Sequence, residues 1–216
     1  VGAYSFLILT EEKTYVALDP RGMRPLSIGK LGNAYVVASE TCAFNIIGAT
    51  FEREVLPGEL LTISDKGIES IRFSLREPRK LCAMEYVYFS RPDSDLNEVN
   101  VHASRKRMGI ELAKESPVEA DVVTGVPDSS ISAAIGYAEQ CGLPYEMGII
   151  KNRYIGRTFI QPSPELREQG VKMKLSPVKG IVDGKRVVMI DDSLVRGTTC
   201  KRIVGLLKEA GAKEVH

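Results

Sequence analysis

VVMIDDSLVRGTT, residues 187–199, says more about this chain than any other stretch. Its leading apolar residues, Val187, Val188, Met189 and Ile190, have the composition of a strand buried on both faces, as in a parallel sheet. Residues 198–210 then carry an apolar face at helical spacing through Ile203, Val204, Leu207 and Ala210. Between strand and helix lies a loop with the chemistry of a sugar-phosphate site. Asp191 and Asp192, at the strand's C-terminal end, can accept hydrogen bonds from sugar hydroxyls or take a hydrated Mg²⁺, which keeps most of its waters and uses one or two protein oxygens. Arg196, Gly197, Thr198 and Thr199 add a guanidinium, bare backbone and two hydroxyls at a helix N-terminus, where free N–H groups and the dipole favour an anion. Taken singly, these residues read as a helix cap and a solvated acidic pair. Their order, apolar strand, DD, S-x-x-R-G-T-T and helix, is what points to a ligand. No G-K-[ST] follows the glycine and no G-x-G-x-x-G is present, so neither a Walker loop nor a dinucleotide fingerprint fits.

Composition narrows the classes. With 216 residues and 44% hydrophobic content, the chain can bury a core and has length for one or two domains. Its 29 basic and 28 acidic residues leave a net charge of +1, which gives no electrostatic reason to expect nucleic acid or a membrane surface as partner. No apolar run approaches the ~18–20 residues of a membrane span, and the N-terminus lacks the charged-then-apolar pattern of a signal peptide, so a cytoplasmic location is the default expectation. Cys42, Cys82, Cys141 and Cys200 are far apart and form no C-x-x-C; each reads as a buried free thiol. The chain starts at Val1 rather than Met and stops soon after Gly211, where another strand is expected, so it reads as a segment of a longer polypeptide.

The rhythm of the sequence changes near Pro78. Before it, β-rich runs at residues 4–9, 15–18, 34–38, 60–63 and 68–73 alternate with turn signals such as Asp19-Pro20, Gly32-Asn33, Pro57-Gly58 and Lys66-Gly67, which predicts an antiparallel β layer. After it, a helix over 101–115, a strand over 122–126, a helix over 130–141 ending at Gly142, and the strand-loop-helix of 187–210 predict an α/β doubly wound parallel sheet, with ligands at the C-terminal ends of its strands. Domains of 1–78 and 79–216 follow.

Two further constellations stand out. Gly125-Val126-Pro127-Asp128-Ser129-Ser130 follows a strand and opens a helix; alone it reads as an N-cap, but beside the DD loop it reads as an anion nest. Residues 151–178 are basic through Lys151, Arg153, Arg157, Arg167, Lys172 and Lys174, and Gly156, Pro162, Pro164 and Gly170 interrupt regular structure. A basic, hinged loop between two phosphate sites predicts a lid over an anionic leaving group, the plain alternative being a solvated loop.

The DD run resembles the 5-phosphoribosyl-1-diphosphate (PRPP) motif of type I phosphoribosyltransferases. A more specific resemblance spans the chain: EYVYFSRPDS (85–94), TGVPDSSISAAIGYA (124–138), KNRYIGRTFIQPS (151–163) and the DD run, together with ALDPRGMRPLSIG (17–29) and VVASETCAFN (36–45), are similar to the amidophosphoribosyltransferase family. That resemblance implies a partial N-terminal-nucleophile glutaminase β layer followed by a type I phosphoribosyltransferase sheet. It implies transfer of glutamine-derived ammonia to PRPP, giving 5-phosphoribosylamine, glutamate and diphosphate, the first step of purine synthesis. Catalysis is then expected to rest on Asp191, Asp192, Arg157 and Lys151. Ser193, Val195, Arg196, Gly197, Thr198 and Thr199 are expected to bind the 5-phosphate, and Asp128, Ser129 and Ser130 the diphosphate. Mg²⁺ is expected near Ser129, Asp191 and Asp192. Some members carry a [4Fe–4S] cluster, and Cys82 matches one ligand position, although taken by itself it reads as a structural thiol. Purine nucleotides are the implied inhibitors and a homo-oligomer the implied assembly. The family's glutaminase nucleophile, a Cys at the mature N-terminus, is absent from this sequence. Two rival classes share the DD loop: a base-salvage phosphoribosyltransferase, which has no need of the β layer of 1–73, and a PRPP-sensing regulator, which calls for a DNA-binding module that is not evident here.

Overall fold

The computed structural model describes residues 2–75, 77–152, 174–195 and 197–216. The chain forms two units, Val1–His102 and Ala103–His216, each with its own apolar interior.

In the first unit the described elements are β1 (Ser5–Leu9), β2 (Thr14–Leu18), β3 (Ser27–Leu31), β4 (Ala34–Ala38), α1 (Cys42–Ile47), β5 (Thr50–Glu54), β6 (Glu59–Ser64) and β7 (Gly67–Arg72). The expected single β layer is two antiparallel sheets, ordered β1-β2-β6-β7 and β4-β3-β5. The buried Asp19 carboxylate makes the switch between them. It accepts the N–H groups of Arg21 (2.9 Å) and Met23 (3.0 Å), ending β2 in a tight turn that releases the chain towards β3. Both sheets feed one core: Val16, Leu18 and Leu61 from the first meet Ile28 from the second, with Leu26 and Val55 between. Glu59 is also buried, which by itself raises its pKa, yet the Arg53 guanidinium, the Ser70 hydroxyl and the Leu56 N–H together hold it below the usual carboxylate value. β1 lies at a sheet edge with Phe6, Leu7, Ile8 and Leu9 all more than half exposed, so both of its faces are apolar. A small hairpin, β8 (Asp95–Leu96) and β9 (Val99–Asn100), turns through Asn97 and Glu98, both at positive φ, which matches the twist of the strands it joins.

The second unit is built on parallel strands. The helices α2 (Val101–Glu115) and α3 (Ile131–Cys141) accompany β10 (Val122–Gly125), β11 (Ile149–Lys151), β12 (Leu175–Pro177), α4 (Lys179–Val182), β13 (Arg186–Ile190), α5 (Thr198–Glu209) and β14 (Glu214–Val215). β13 pairs in parallel with β10 on one side and β14 on the other. Alternate side chains of the paired strands go to opposite faces, as the two-residue period requires. Val122 and Val187 pack with Ile203 and Leu207 of α5 and Val182 of α4, while Val123, Val188 and Ile190 pack with Ala134, Tyr137 and Ala138 of α3 and Ala113 of α2. The sheet is therefore covered on both faces, the doubly wound arrangement that its unbroken apolar run calls for.

Two contacts fix this unit. At the N-terminal ends of the paired strands, Arg186 donates from its backbone N–H (2.8 Å) and from Nη2 (3.0 Å) to the Asp121 carboxylate. Those bonds draw the Asp121 pKa down from 3.8 to about 2. Against the sheet, α2 and α3 cross through glycines: a methyl group on Gly109 would strike the Ala133 carbonyl, and one on Gly136 the Lys106 carbonyl. Beside this crossing Lys106 pairs with Glu139 at 2.7 Å.

Gly109→Ala or Gly136→Ala is expected to lower the unfolding free energy by about 1–3 kcal/mol, the usual range for forcing volume into a closed contact. Gly205→Ala, on a helix face where an added methyl meets nothing, is expected to raise it by roughly 0.5–1 kcal/mol. Denaturant titration of the three variants checks both signs. Because the folded pKa of Asp121 lies below its ordinary value, its stabilisation is present above pH 3.8 and is lost as pH falls towards about 2. Asp121→Asn should therefore melt below the parent at neutral pH, with the difference shrinking through that acid window; a constant difference contradicts the clamp.

Candidate functional site

The register Gly125↔Ile190 brings β10 and β13 to an end at the same level, so the loops that follow them open side by side. The first holds Asp128, Ser129 and Ser130; the second holds Asp191, Asp192 and Ser193. They are joined by side-chain hydrogen bonds. Ser129 donates to the Asp192 carboxylate, and Ser130 donates to Asp191 at 3.4 Å. Within the second loop the Asp192 N–H donates to Asp191 Oδ1 (2.9 Å) and Ser193 donates to Asp192 Oδ1 (2.7 Å). Ser130, at the N-terminus of α3, makes no side-chain cap bond, so its hydroxyl serves the acidic pair instead of the helix.

Burial raises the Asp191 pKa, and the neighbouring Asp192 charge pushes the same way, against the Asp192 N–H and the Ser130 hydroxyl. A cation placed beside Asp191 would oppose that shift. On the first loop, Asp128 forms an ion pair with Lys151 at the end of β11 (2.5 Å). The ends of the basic segment, irregular in the sequence reading, thus form a two-stranded ribbon: β11 and β12 pair antiparallel from Ile149↔Pro177 to Lys151↔Leu175. Buried Ile149 and Leu175 supply the reason, since they anchor the ribbon in the core beneath α5.

Gly197 sits at the N-cap of α5 with φ +71, a left-handed conformation in which glycine carries no Cβ penalty. Thr198 and Thr199 open the helix with exposed side chains. Val195 is 86% exposed. Arg157, Arg196 and the central part of the expected lid, residues 153–173, lie outside the described residues.

Of the four cysteines only Cys42 is buried, against the expectation of four buried thiols; Cys82, Cys141 and Cys200 are partly exposed. Cys82 lies in the first unit and belongs to none of the contacts above. Among the described residues no three His, Cys, Asp or Glu side chains are grouped to hold a metal by themselves. A complete four-thiolate set for a cluster is thus not assembled. A metal that arrives on a diphosphate, and takes only one or two protein oxygens, matches the hard donors Asp191, Asp192 and Ser129. No described helix is long and apolar enough to cross a membrane.

Sequence reasoning passed over Thr124. It is fully buried on β10 between the core residues Val122 and Val126, and its hydroxyl accepts the Gly148 N–H at 3.0 Å. The available signal was a hydroxyl in an otherwise apolar strand.

Comparison with known proteins bears on this geometry. The phosphoribosyl transferase domain model matches residues 100–216. The amidophosphoribosyltransferase of Bacillus subtilis is 69% identical over 215 residues, covering all of this chain and 45% of that protein. The Staphylococcus aureus amidophosphoribosyltransferase is 55% identical over 216 residues, covering 44% of its length. A solved structure of glutamine PRPP amidotransferase from B. subtilis complexed with ADP and GMP superposes with a TM-score of 0.92 at 69% identity, covering all of this chain and 47% of that one. The chain spans less than half the length of these relatives. Two loops level at the ends of parallel strands, and a family model over more than half the sequence, lead to one assignment: this chain belongs to the phosphoribosyl transferase domain family, and along its whole length it is similar to amidophosphoribosyltransferases.

Proposed function

We propose that the protein transfers ammonia to C1 of PRPP, releasing diphosphate and forming 5-phosphoribosylamine, with glutamine as the source of ammonia, at the start of purine synthesis in the cytoplasm. The observation that carries the reading is the meeting of the 128–130 loop with the 191–193 loop through Ser129–Asp192 and Ser130–Asp191. PRPP carries a monophosphate at C5 of its ribose and a diphosphate at C1, and this reading takes one anion nest on each side of the acidic pair for the two groups.

In this reading Asp191 and Asp192 accept hydrogen bonds from the ribose hydroxyls and fix the sugar. Residues 193–199, with Arg196, hold the 5-phosphate at the N-terminus of α5. Asp128, Ser129 and Ser130 face the diphosphate, and Lys151 and Arg157 supply positive charge as it departs. Mg²⁺ held by Asp191, Asp192 and Ser129 would neutralise the leaving group. The chain's own work is positional: it sets C1 against ammonia and excludes water while the sugar becomes oxocarbenium-like. No protein nucleophile is needed for that transfer. Residues 1–78 are the latter part of a glutaminase domain, and residues 79–216 belong to the transferase domain. Purine nucleotides compete for the phosphate subsites, as the ADP- and GMP-bound relative suggests, and the protein works as a homo-oligomer. An iron–sulfur cluster, where present, takes Cys82 as one ligand together with thiols from elsewhere in the polypeptide.

Asp192→Asn tests the centre of this reading. It should weaken binding of PRPP with Mg²⁺ about tenfold or more, the range for losing a hydrogen bond to a charged group. The thermal midpoint should stay close to the parent's, because Asp192 lies in a loop outside both cores. Calorimetric binding and a melting curve on the same sample decide, and a variant that binds PRPP as tightly as the parent removes Asp192 from the site.

A further inference from the structure

We propose that Thr124 is a positioning residue, whose buried hydroxyl holds the Lys151 strand against the diphosphate loop and so sets the cation that meets the leaving group. The inference rests on the phosphoribosyl-transfer reading of the site.

The need for such a residue lies in the hydrogen-bond ladder. β10 continues sideways towards residues 144–146 through two main-chain bonds, Val123 N–H to the Pro144 carbonyl and Glu146 N–H to the Val123 carbonyl, both 2.9 Å. There the main-chain pairing stops, because β11 pairs with β12 rather than with β10. The next N–H along, that of Gly148, is shared between the Glu146 carbonyl at 2.9 Å, within its own segment, and the Thr124 hydroxyl at 3.0 Å, across to β10. A hydroxyl therefore supplies the rung that the backbone does not.

The position is otherwise one for a hydrocarbon. Thr124 is fully buried on the face of β10 that carries Val122 and Val126, with Val182 on the other side of Gly148. Valine has the same shape and no polar atom to satisfy, so packing alone gives no reason for the hydroxyl. The close approach also explains Gly148: an added methyl there would lie 3.2 Å from the Thr124 hydroxyl and 3.1 Å from Val182.

Both arms of the catalytic ion pair leave from this bond. Asp128 lies four residues beyond Thr124 and Lys151 three beyond Gly148. On β11 the two-residue period puts Lys151 on the same side as Ile149, which is buried in the core, so the ammonium is directed to the site and Ile150 to solvent. At the tips, Lys151 meets Asp128. The hydroxyl acts as the hinge pin and the ion pair marks where the arms meet.

The test uses the full chain carrying Thr124→Val, which keeps the shape and removes the acceptor, and Thr124→Ser, which keeps the acceptor. In ligand-free protein, competitive amine labelling read by peptide mass spectrometry should show Lys151 reacting about fivefold faster in Thr124→Val, the effect of one ordinary hydrogen bond. Thr124→Ser should react at the parent rate, as should Lys13 and Lys208 in both variants. PRPP with Mg²⁺ should bind about fivefold more weakly to Thr124→Val, and the double variant Thr124→Val, Lys151→Met should bind no more weakly than Lys151→Met alone. Unchanged Lys151 reactivity in Thr124→Val, or additive losses in the double variant, overturns the proposal. Thr124→Ala repeats the comparison if the valine variant folds poorly. A parent that binds no PRPP defeats the functional reading, whereas Lys151 reactivity still decides whether Thr124 positions the strand.

Discussion

Parallel pairing of β10 with β13 is the constraint from which the second unit follows. Parallel strands end on the same side of a sheet, and the register that sets Gly125 against Ile190 makes these two end level. Any slip by one residue would exchange the two faces of a strand, sending Val122 and Val123 to the wrong cores. The apolar faces thus hold the register, the Asp121–Arg186 contact fastens its N-terminal end, and two loops with matching chemistry emerge together at the other. The site is a product of alignment before it is a product of residue type.

Inside the site, polar groups are shared across loops. Ser130 could cap α3 and Ser129 could face water, yet both hydroxyls reach the acidic pair on the neighbouring loop. That keeps two adjacent carboxylates tolerable next to one another: each accepts hydrogen bonds, both are partly buried, and a lysine–aspartate pair joins the 128–130 loop to β11. Such a site holds its geometry through bonds that, under the proposed function, a sugar phosphate and its metal would replace in kind, hydroxyl for hydroxyl and cation for cation.

Much of this was legible in the sequence where the signal is local. The run Val187 to Ile190 reads as a buried strand because both of its faces are apolar, and the helix of 101–115 and the Gly142 stop show their own periodicity and cap. The strands Ser27–Leu31 and Thr50–Glu54 and the helix Cys42–Ile47 escaped because their reasons are distant. SIGKL contains a glycine at an irregular point of the β3–β5 pairing, where a side chain would strike the Thr50 carbonyl, and TFERE is an exposed, charged edge strand. Neither looks like a strand until its partner is in place. In the site, the acidic pair and the serines were readable as motifs, but Thr124 was not, because its partner lies 24 residues away.

The edge strand β1 has a consequence of a different kind. SFLIL offers apolar side chains on both faces and lies outermost in its sheet, with half or more of Phe6, Leu7, Ile8 and Leu9 open to solvent. An edge of that composition is a template for strands of other molecules, and Pro is absent from it to block the addition. Glu11, Glu12 and Lys13 in the following turn are the nearest charged gatekeepers, and they protect only one end. Association of this chain is therefore expected to begin at β1, in the first unit rather than in the unit that holds the paired loops, and turbidity should respond to concentration well before any loss of the parallel sheet.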